Sequence, residues 1–143
     1  MGTPATLLGF DLGTKQIGIA VGQTLTNTAS PVGVIAVRGN APDWEAIDRA
    51  VENWNPDALV VGLPLNMDGT EQEMTWAARR FRNQLLHRYE LPVHVADERL
   101  STREARDRLA QEGRLDIDDD PVAAQIILET WLHAELYAKV MHP

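Results

Sequence analysis

Residues 58–61, Ala-Leu-Val-Val, place four apolar side chains in a row between a helical stretch and a polar loop. A strand with one wet face alternates apolar and polar residues. A run without alternation belongs to a strand covered on both faces, the usual situation in a parallel sheet. Parallel neighbours cannot be joined by a hairpin and need a helical crossover. Residues 43–55 supply one helix, with apolar Trp44, Ile47, Val51 and Trp54 at helical spacing, Asp43 as its N-cap and Asn55-Pro56 as its stop. On the other side of the run, after a polar loop over 63–69, Thr70 with Glu73 reads as a capping box. The stripe Met74, Ala78, Phe81 and Leu85 continues that helix.

The rest of the chain fits the same plan. Apolar runs at 7–11, 17–21 and 31–37 read as an opening meander of three strands, with a tight turn at Gly13, and 93–96 as a further strand. Ser101 with Glu104 forms a second capping box for a helix ending near Gln111 and Gly113. Asp120-Pro121 opens a last helix running to about Tyr137. The expected order is βββαβαβαα: an α/β fold with one mixed five-stranded sheet flanked by helices. At 143 residues it is expected to be a single domain, residues 1–143.

Composition narrows the function classes. Hydrophobic residues make up 44% and charged residues 24%, a globular balance. Cysteine is absent, which removes disulfides, thiolate metal sites and cysteine nucleophiles. No apolar run approaches the ~20 residues of a membrane helix, and no basic flank with an apolar core marks the N-terminus for export. A soluble cytoplasmic protein without a membrane partner is the expectation. The net charge of −8 argues against nucleic acid, but its distribution reverses that argument. Nine of the thirteen basic residues lie between Arg79 and Arg114 against six acids, a local balance of +3, while the remainder carries −11. That pattern suggests a basic face on an acidic body.

Three acidic features stand at element boundaries. Asp11 ends the first strand at the turn Asp11-Leu12-Gly13-Thr14-Lys15, and open α/β sheets place ligands at the carboxyl ends of strands. Asp97-Glu98 ends a later strand. Adjacent strand residues point to opposite faces, so one of the two can enter a site while its neighbour turns away. Asp118, Asp119 and Asp120 precede the last helix, where capping alone would account for an aspartate before proline. Three such acids are also what a Mg²⁺ site needs, since magnesium takes hard oxygen ligands. With no cysteine and four histidines, a soft-metal site has little support. The loop holding Asn66 and Asp68 leads into a helix N-terminus, a setting suited to phosphate. The first turn is similar both to the phosphate loop of the actin and sugar-kinase ATPases and to the first catalytic strand of ribonuclease H-like nucleases. The ATPases close two domains around a nucleotide, and this chain has length for one.

Taken together, Asp11-Leu12-Gly13-Thr14-Lys15 with Ile17-Gly18, Val61-Gly62-Leu63-Pro64 with Asn66-Met67-Asp68-Gly69-Thr70, Asp97-Glu98-Arg99-Leu100-Ser101-Thr102, and Asp120 before Ala123-Ala124 and Ile127-Leu128 resemble the YqgF-type (RuvX-like) pre-16S rRNA nucleases. The resemblance spans residues 7–132. It implies a ribonuclease H-like fold, a cytoplasmic location and a role in maturing the 5′ end of 16S rRNA. By position it makes Asp11, Glu98 and Asp120 the catalytic and metal-binding acids. Two positions depart from the pattern. Residue 16 is Gln where relatives often carry a basic residue, and residues 58–63 offer no acid where resolvases and ribonuclease H draw one from the fourth strand. The resemblance therefore requires Glu98 to substitute for that acid.

The mechanism this implies is hydrolysis of a phosphodiester in structured RNA with Mg²⁺, or Mn²⁺ in its place. Lys15, Asn66, Arg79, Arg80, Arg82, Arg99 and Arg103 would contact the backbone, which positions a substrate without reading its sequence. Partners would be pre-16S rRNA, branched DNA or ribosomal particles, and the protein would be a monomer or weak homodimer. Two rivals follow from the same features. One is a Holliday-junction resolvase-like DNA endonuclease, which needs a two-fold dimer. The other is a non-catalytic RNA-binding factor for ribosome assembly.

Overall fold

The computed structural model describes residues 4–66, 68–98 and 120–141. In chain order the elements are β1 (Thr6–Leu12), β2 (Gln16–Gln23), β3 (Thr28–Arg38), β4 (Ala41–Pro42), α1 (Trp44–Trp54), β5 (Ala58–Leu63), α2 (Glu73–Tyr89), β6 (Val93–Asp97) and α3 (Asp120–Met141). The strands form one mixed sheet in the order β4-β3-β2-β1-β5-β6. Consecutive strands from β1 to β4 pair antiparallel, and β1, β5 and β6 run parallel. The apolar run at 58–61 does lie between two parallel neighbours. The sheet has six strands where the sequence predicts five, because Ala41–Pro42 adds a two-residue strand too short to leave a periodic signal.

Pro31 sits inside β3 and not at its start, which the pairing explains. Ala20 opposes Pro31 and Ile19 opposes Gly33, so Val32 is an extra residue at a β-bulge. A bulge is where a strand tolerates proline. Asp43 caps α1 as expected, its side chain accepting the Ala46 N–H at 3.3 Å. Asn55 ends the helix in the left-handed conformation at φ 45°, with its N–H on the Val51 carbonyl. The start of α2 differs from expectation. Thr70 does not cap it, because Asp68 holds the Thr70 N–H at 2.9 Å and its hydroxyl at 2.6 Å in a closed loop. The helix starts at Glu73, where the Gln72 N–H donates to Thr75 Oγ1 at 3.0 Å and the buried Thr75 hydroxyl donates to the Pro64 carbonyl. The expected helix at 101–111, its Ser101–Glu104 capping box, and Asp118 and Asp119 lie outside the described residues.

Two cores cover the two faces of the sheet. On one, Ile47 of α1 and Ala78, Phe81 and Leu85 of α2 pack on Leu8, Phe10, Ile17, Ile19, Leu59 and Val61. Phe81 meets Phe10 edge-on at 5.5 Å between ring centroids and stacks with Trp44 at 5.7 Å. On the other, Ala124, Ile127, Leu128 and Leu132 of α3 pack on Leu7, Ala20, Val60 and Ala96. There the helix comes very close: a Cβ at Gly9 would lie 2.9 Å from Leu128 Cβ, and one at Gly22 would lie 2.8 Å from Leu128 Cδ2. Buried Glu129 fixes the helix to β3 by accepting the Ala29 N–H at 3.2 Å, while Gln125 donates to the Ala29 carbonyl at 3.0 Å. No helix among the described residues is long and apolar enough to cross a membrane.

Candidate active site

Side-chain parity along β1 decides where Asp11 points. Leu8 and Phe10 belong to the α1/α2 core and Leu7 to the α3 core, so Asp11 shares the face of Leu7 and Gly9 under α3. The same alternation in β6 sends Ala96 into the α3 core, which puts Glu98 on the Asp11 face and Asp97 on the other. Of the two adjacent acids, Glu98 is therefore the one that faces Asp11.

The two carboxyl groups meet. Glu98 forms a side-chain hydrogen bond with Asp11, although β5 separates their strands. Gly62 makes this crossing possible. A Cβ at position 62 would lie 2.6 Å from Glu98 Oε1 and 3.1 Å from its Cγ. The Glu98 side chain thus fills the space above β5 that any residue other than glycine would occupy. A carboxylate from the neighbouring strand thus lies over β5, whose own residues 58–63 carry no acid. Glycine within an otherwise Leu/Val strand is the signal that could have revealed this.

Electrostatics follow from that placement. Burial, the hydrogen bond to Asp11, and the charges of Asp11 and then Asp97 push the Glu98 carboxyl up to about 9. The direction of that shift favours one proton shared between Glu98 and Asp11 over two bare carboxylates. Two carboxylates forced together are relieved by a shared proton or by a cation, and hard oxygen donors suit a divalent ion such as Mg²⁺. The donor chemistry therefore fits the ion expected from sequence. Among the described residues no three His, Asp or Glu side chains converge as a complete metal site.

The third expected acid is Asp120, the first residue of α3. Close contacts set the direction of this helix over β1. Gly22, paired with Leu7, approaches Leu128 and Leu132, while Gly9 approaches Ala124 and Leu128. Each helical turn of ~5.4 Å matches two strand residues at ~3.3 Å each. Continued by one turn, this register brings the start of α3 over the Asp11 end of β1.

The cationic candidates are more dispersed. Lys15 is exposed on the β1–β2 turn, where the Gly13 N–H closes on the Gln16 carbonyl at 3.0 Å. Asn66 donates from Nδ2 to Thr70 Oγ1 at 3.0 Å within the closed loop. Arg79, Arg80 and Arg82 lie on α2, across the sheet from the carboxylates. Arg79 pairs with Glu71, and Arg82 donates to Asn83 Oδ1 at 3.3 and 3.1 Å. Arg99 and Arg103 lie outside the described residues. Sequence reasoning missed Trp76, exposed to 64% on α2; its position off the stripe of Met74, Ala78, Phe81 and Leu85 was the available signal.

Known proteins share both the fold and the sequence. The RuvC structure of Thermus thermophilus in complex with a Holliday junction superposes with a TM-score of 0.54, covering 92% of this chain and 95% of that one at 16% identity. A fowlpox virus Holliday junction resolvase gives 0.51 at 15% identity, covering 90% and 99%. At such identities the likeness is one of fold. Sequence relatives are much nearer. Proteins named "Putative pre-16S rRNA nuclease" are 50% identical over 136 residues in Azotobacter vinelandii, covering 92% of this chain and 96% of the relative, and 48% identical over 134 residues in Aeromonas salmonicida, covering 91% and 96%. The family model described as "RuvX: Holliday junction resolvase" matches residues 5–134. With half-identical relatives along nine-tenths of the chain and a family model across the same span, the chain belongs to the RuvX family.

Proposed function

We propose that this protein is a metal-dependent nuclease that hydrolyses phosphodiester bonds in pre-16S rRNA, using Asp11, Glu98 and Asp120. The observation that carries the reading is the Asp11–Glu98 pair, held together across Gly62 at the carboxyl ends of parallel strands. The relatives' name supports the substrate, and a cytoplasmic location goes with it. Asp11 and Glu98 would hold the ion from one side, and Asp120 at the start of α3 would hold it from the other. Such an ion supplies charge neutralisation at a phosphate and a water acidic enough to act as hydroxide near neutral pH. For the pair to hold the ion, Glu98 would have to release its proton to solvent. Asp11 lies near the end of β1 on the face that carries the closely packed Gly9 under α3; a carboxylate fixed on a strand would need little rearrangement to meet the ion. Lys15 stands on the adjoining turn and would balance a phosphate oxygen. Arg79, Arg80, Arg82 and Asn66 would engage flanking backbone on the other side of the sheet edge.

The test is cleavage of purified pre-16S rRNA and of a four-way DNA junction, each with Mg²⁺ or EDTA. The parent protein should cut the RNA only with the metal. Asp11→Asn, which preserves shape and removes charge, should lower turnover about 10³-fold, matching the loss of several kcal/mol at ~1.4 kcal/mol per tenfold. Asp120→Asn should lower it too while keeping the melting temperature, since Asn caps a helix about as well as Asp. The family description and the fold favour the junction as second substrate. Cleavage of the junction alone would replace the RNA reading with a DNA one. Binding of RNA without cleavage would leave an assembly factor.

A further inference from the structure

The strands β1, β5 and β6 are parallel, so their carboxyl ends share one edge of the sheet. Asp11 and Glu98 lie at that edge, and β5 leads from it through residues 64–72 into α2. The first turns of α2 thus stand at the catalytic edge. There Trp76 exposes 64% of its surface. One turn away on either side along α2 are Gln72, Glu73, Arg79 and Arg80, polar and charged neighbours and not the contiguous apolar helix face that marks a protein-binding patch. Continuing from the indole, Arg80, Asn83 and His87 follow at spacings of four, three and four, forming one stripe on the outer face of the helix, ~16 Å long from Trp76 to His87.

The arginines of α2 are not equivalent. Arg88 is held by Asp48 through two bonds of 2.8 and 2.7 Å and lies 5.1 Å above the Trp44 ring. Arg80 has no ion-pair partner among the described residues. Arg80, Asn83, Gln84 and His87 line an open groove of about 460 Å³ with Trp44 and Arg88. On α2 four arginines stand against Glu73 alone, in a chain whose net charge is −8. An exposed aromatic plane followed by cations and amide groups matches the alternation of base and phosphate along an unpaired strand.

We propose that the outer face of α2 is a track for single-stranded nucleic acid, in which the Trp76 indole stacks on a base beside the catalytic edge and Arg80 and His87 take the phosphates that follow. The ligand class rests on the nuclease reading; the track itself does not depend on catalysis. A paired helix has no free base face to offer Trp76, so the track selects an unpaired strand leaving the cut site.

The test is fluorescence anisotropy with a short labelled single-stranded RNA of mixed sequence, in EDTA, so that cleavage plays no part. Trp76→Ala should weaken binding ~10-fold, the scale of one lost stacked base, while Trp76→Phe keeps most of the affinity. Arg80→Gln should flatten the log K against log salt slope by ~0.7, one phosphate on a single strand. Trp54→Ala removes another exposed indole, on α1, and should change nothing. A blunt RNA duplex should bind Trp76→Ala and parent alike. Equal affinity of Trp76→Ala and parent for the single strand overturns the proposal, as does an equal loss for the duplex. Strand binding that depends on Trp76, in a protein that cuts nothing with Mg²⁺, would uphold the track and sink the nuclease reading. Normal cleavage with Trp76-independent binding would do the reverse.

Discussion

On one face of the sheet α1 and α2 press Ile47, Ala78, Phe81 and Leu85 onto Leu8, Phe10 and Val61; on the other a single helix, α3, lies so close that Gly9 and Gly22 have no room for a Cβ. The first face is filled by large side chains with aromatic contacts, and its buried polar side chain among the described residues is Thr75, satisfied by the Pro64 carbonyl. The second carries small residues, a buried glutamate bound to β3, and the Asp11–Glu98 pair. Burial on the first face follows the ordinary gain of ~25 cal/mol per Å² of apolar surface. On the second face part of that gain is offset by two acids held where neither is fully hydrated. The large-residue core and the acid pair are thus separated by one layer of backbone.

The largest expected effect breaks the first face. Phe81→Ala removes a ring that touches both Phe10 and Trp44 and should cost about 3–5 kcal/mol in a denaturant melt. Molecules that remain folded should still cleave at the parent's rate, because the carboxylates lie across the sheet. A fall in activity per folded molecule would show that the two faces are coupled. Next comes Gly62→Val on the second face. Its branched side chain suits a strand but occupies the path of Glu98, and it also crowds Ile127 Cδ1, 2.6 Å from the Cβ position. Turnover should fall ~100-fold if the displaced carboxylate forfeits ~3 kcal/mol at ~1.4 kcal/mol per tenfold, with a smaller cost in stability of ~1–3 kcal/mol from overpacking. Loss of stability without loss of turnover would remove the crossing of β5 from the mechanism.

The pH response of the metal-free protein is smaller and more diagnostic. Glu98 has a folded-state value raised from 4.5 to about 9. Its protonated form therefore favours the fold fully below the unfolded value, and that contribution is lost as pH rises toward 9. Melting temperatures in EDTA should fall across this window, Mg²⁺ should reverse the fall, and Glu98→Gln should flatten it. A flat profile in the parent would mean that the two acids do not share a proton. The smallest effect is Asp43→Ala, which deletes the α1 cap and should cost about 1 kcal/mol without touching activity.

Much of the fold is legible in the chain because local patterns match what the tertiary structure needs. The unbroken run at 58–61 announces a strand covered on both faces, and Asp43 and Asn55-Pro56 bracket α1. The start of α2 misleads because Thr70 and Glu73 have the spacing of a capping box, whereas the loop's own Asp68 claims the Thr70 donors. The site was half visible. Strand-end position singles out Asp11, but choosing between Asp97 and Glu98 requires the face of β6, which depends on pairing and not on composition. Gly62 carries its meaning only once Glu98 is seen lying over it. The arginines of α2 are adjacent in sequence to nothing that reveals they lie across the sheet from the acids.

The attachment of α3 to β3 has a consequence for when the protein becomes competent. Glu129 and Ala29 are 100 residues apart, and α3 is synthesised after every strand it covers. Until it emerges, the sheet face bearing Asp11 and Glu98 lies open to water, and the pair lacks the burial that raises Glu98. Chains grow at ~5–20 residues per second and fold from the N-terminal side, so the α1/α2 face can close while this one waits. A nascent chain is then a folded half in which the Asp11–Glu98 pair stays open to water until the helix docks.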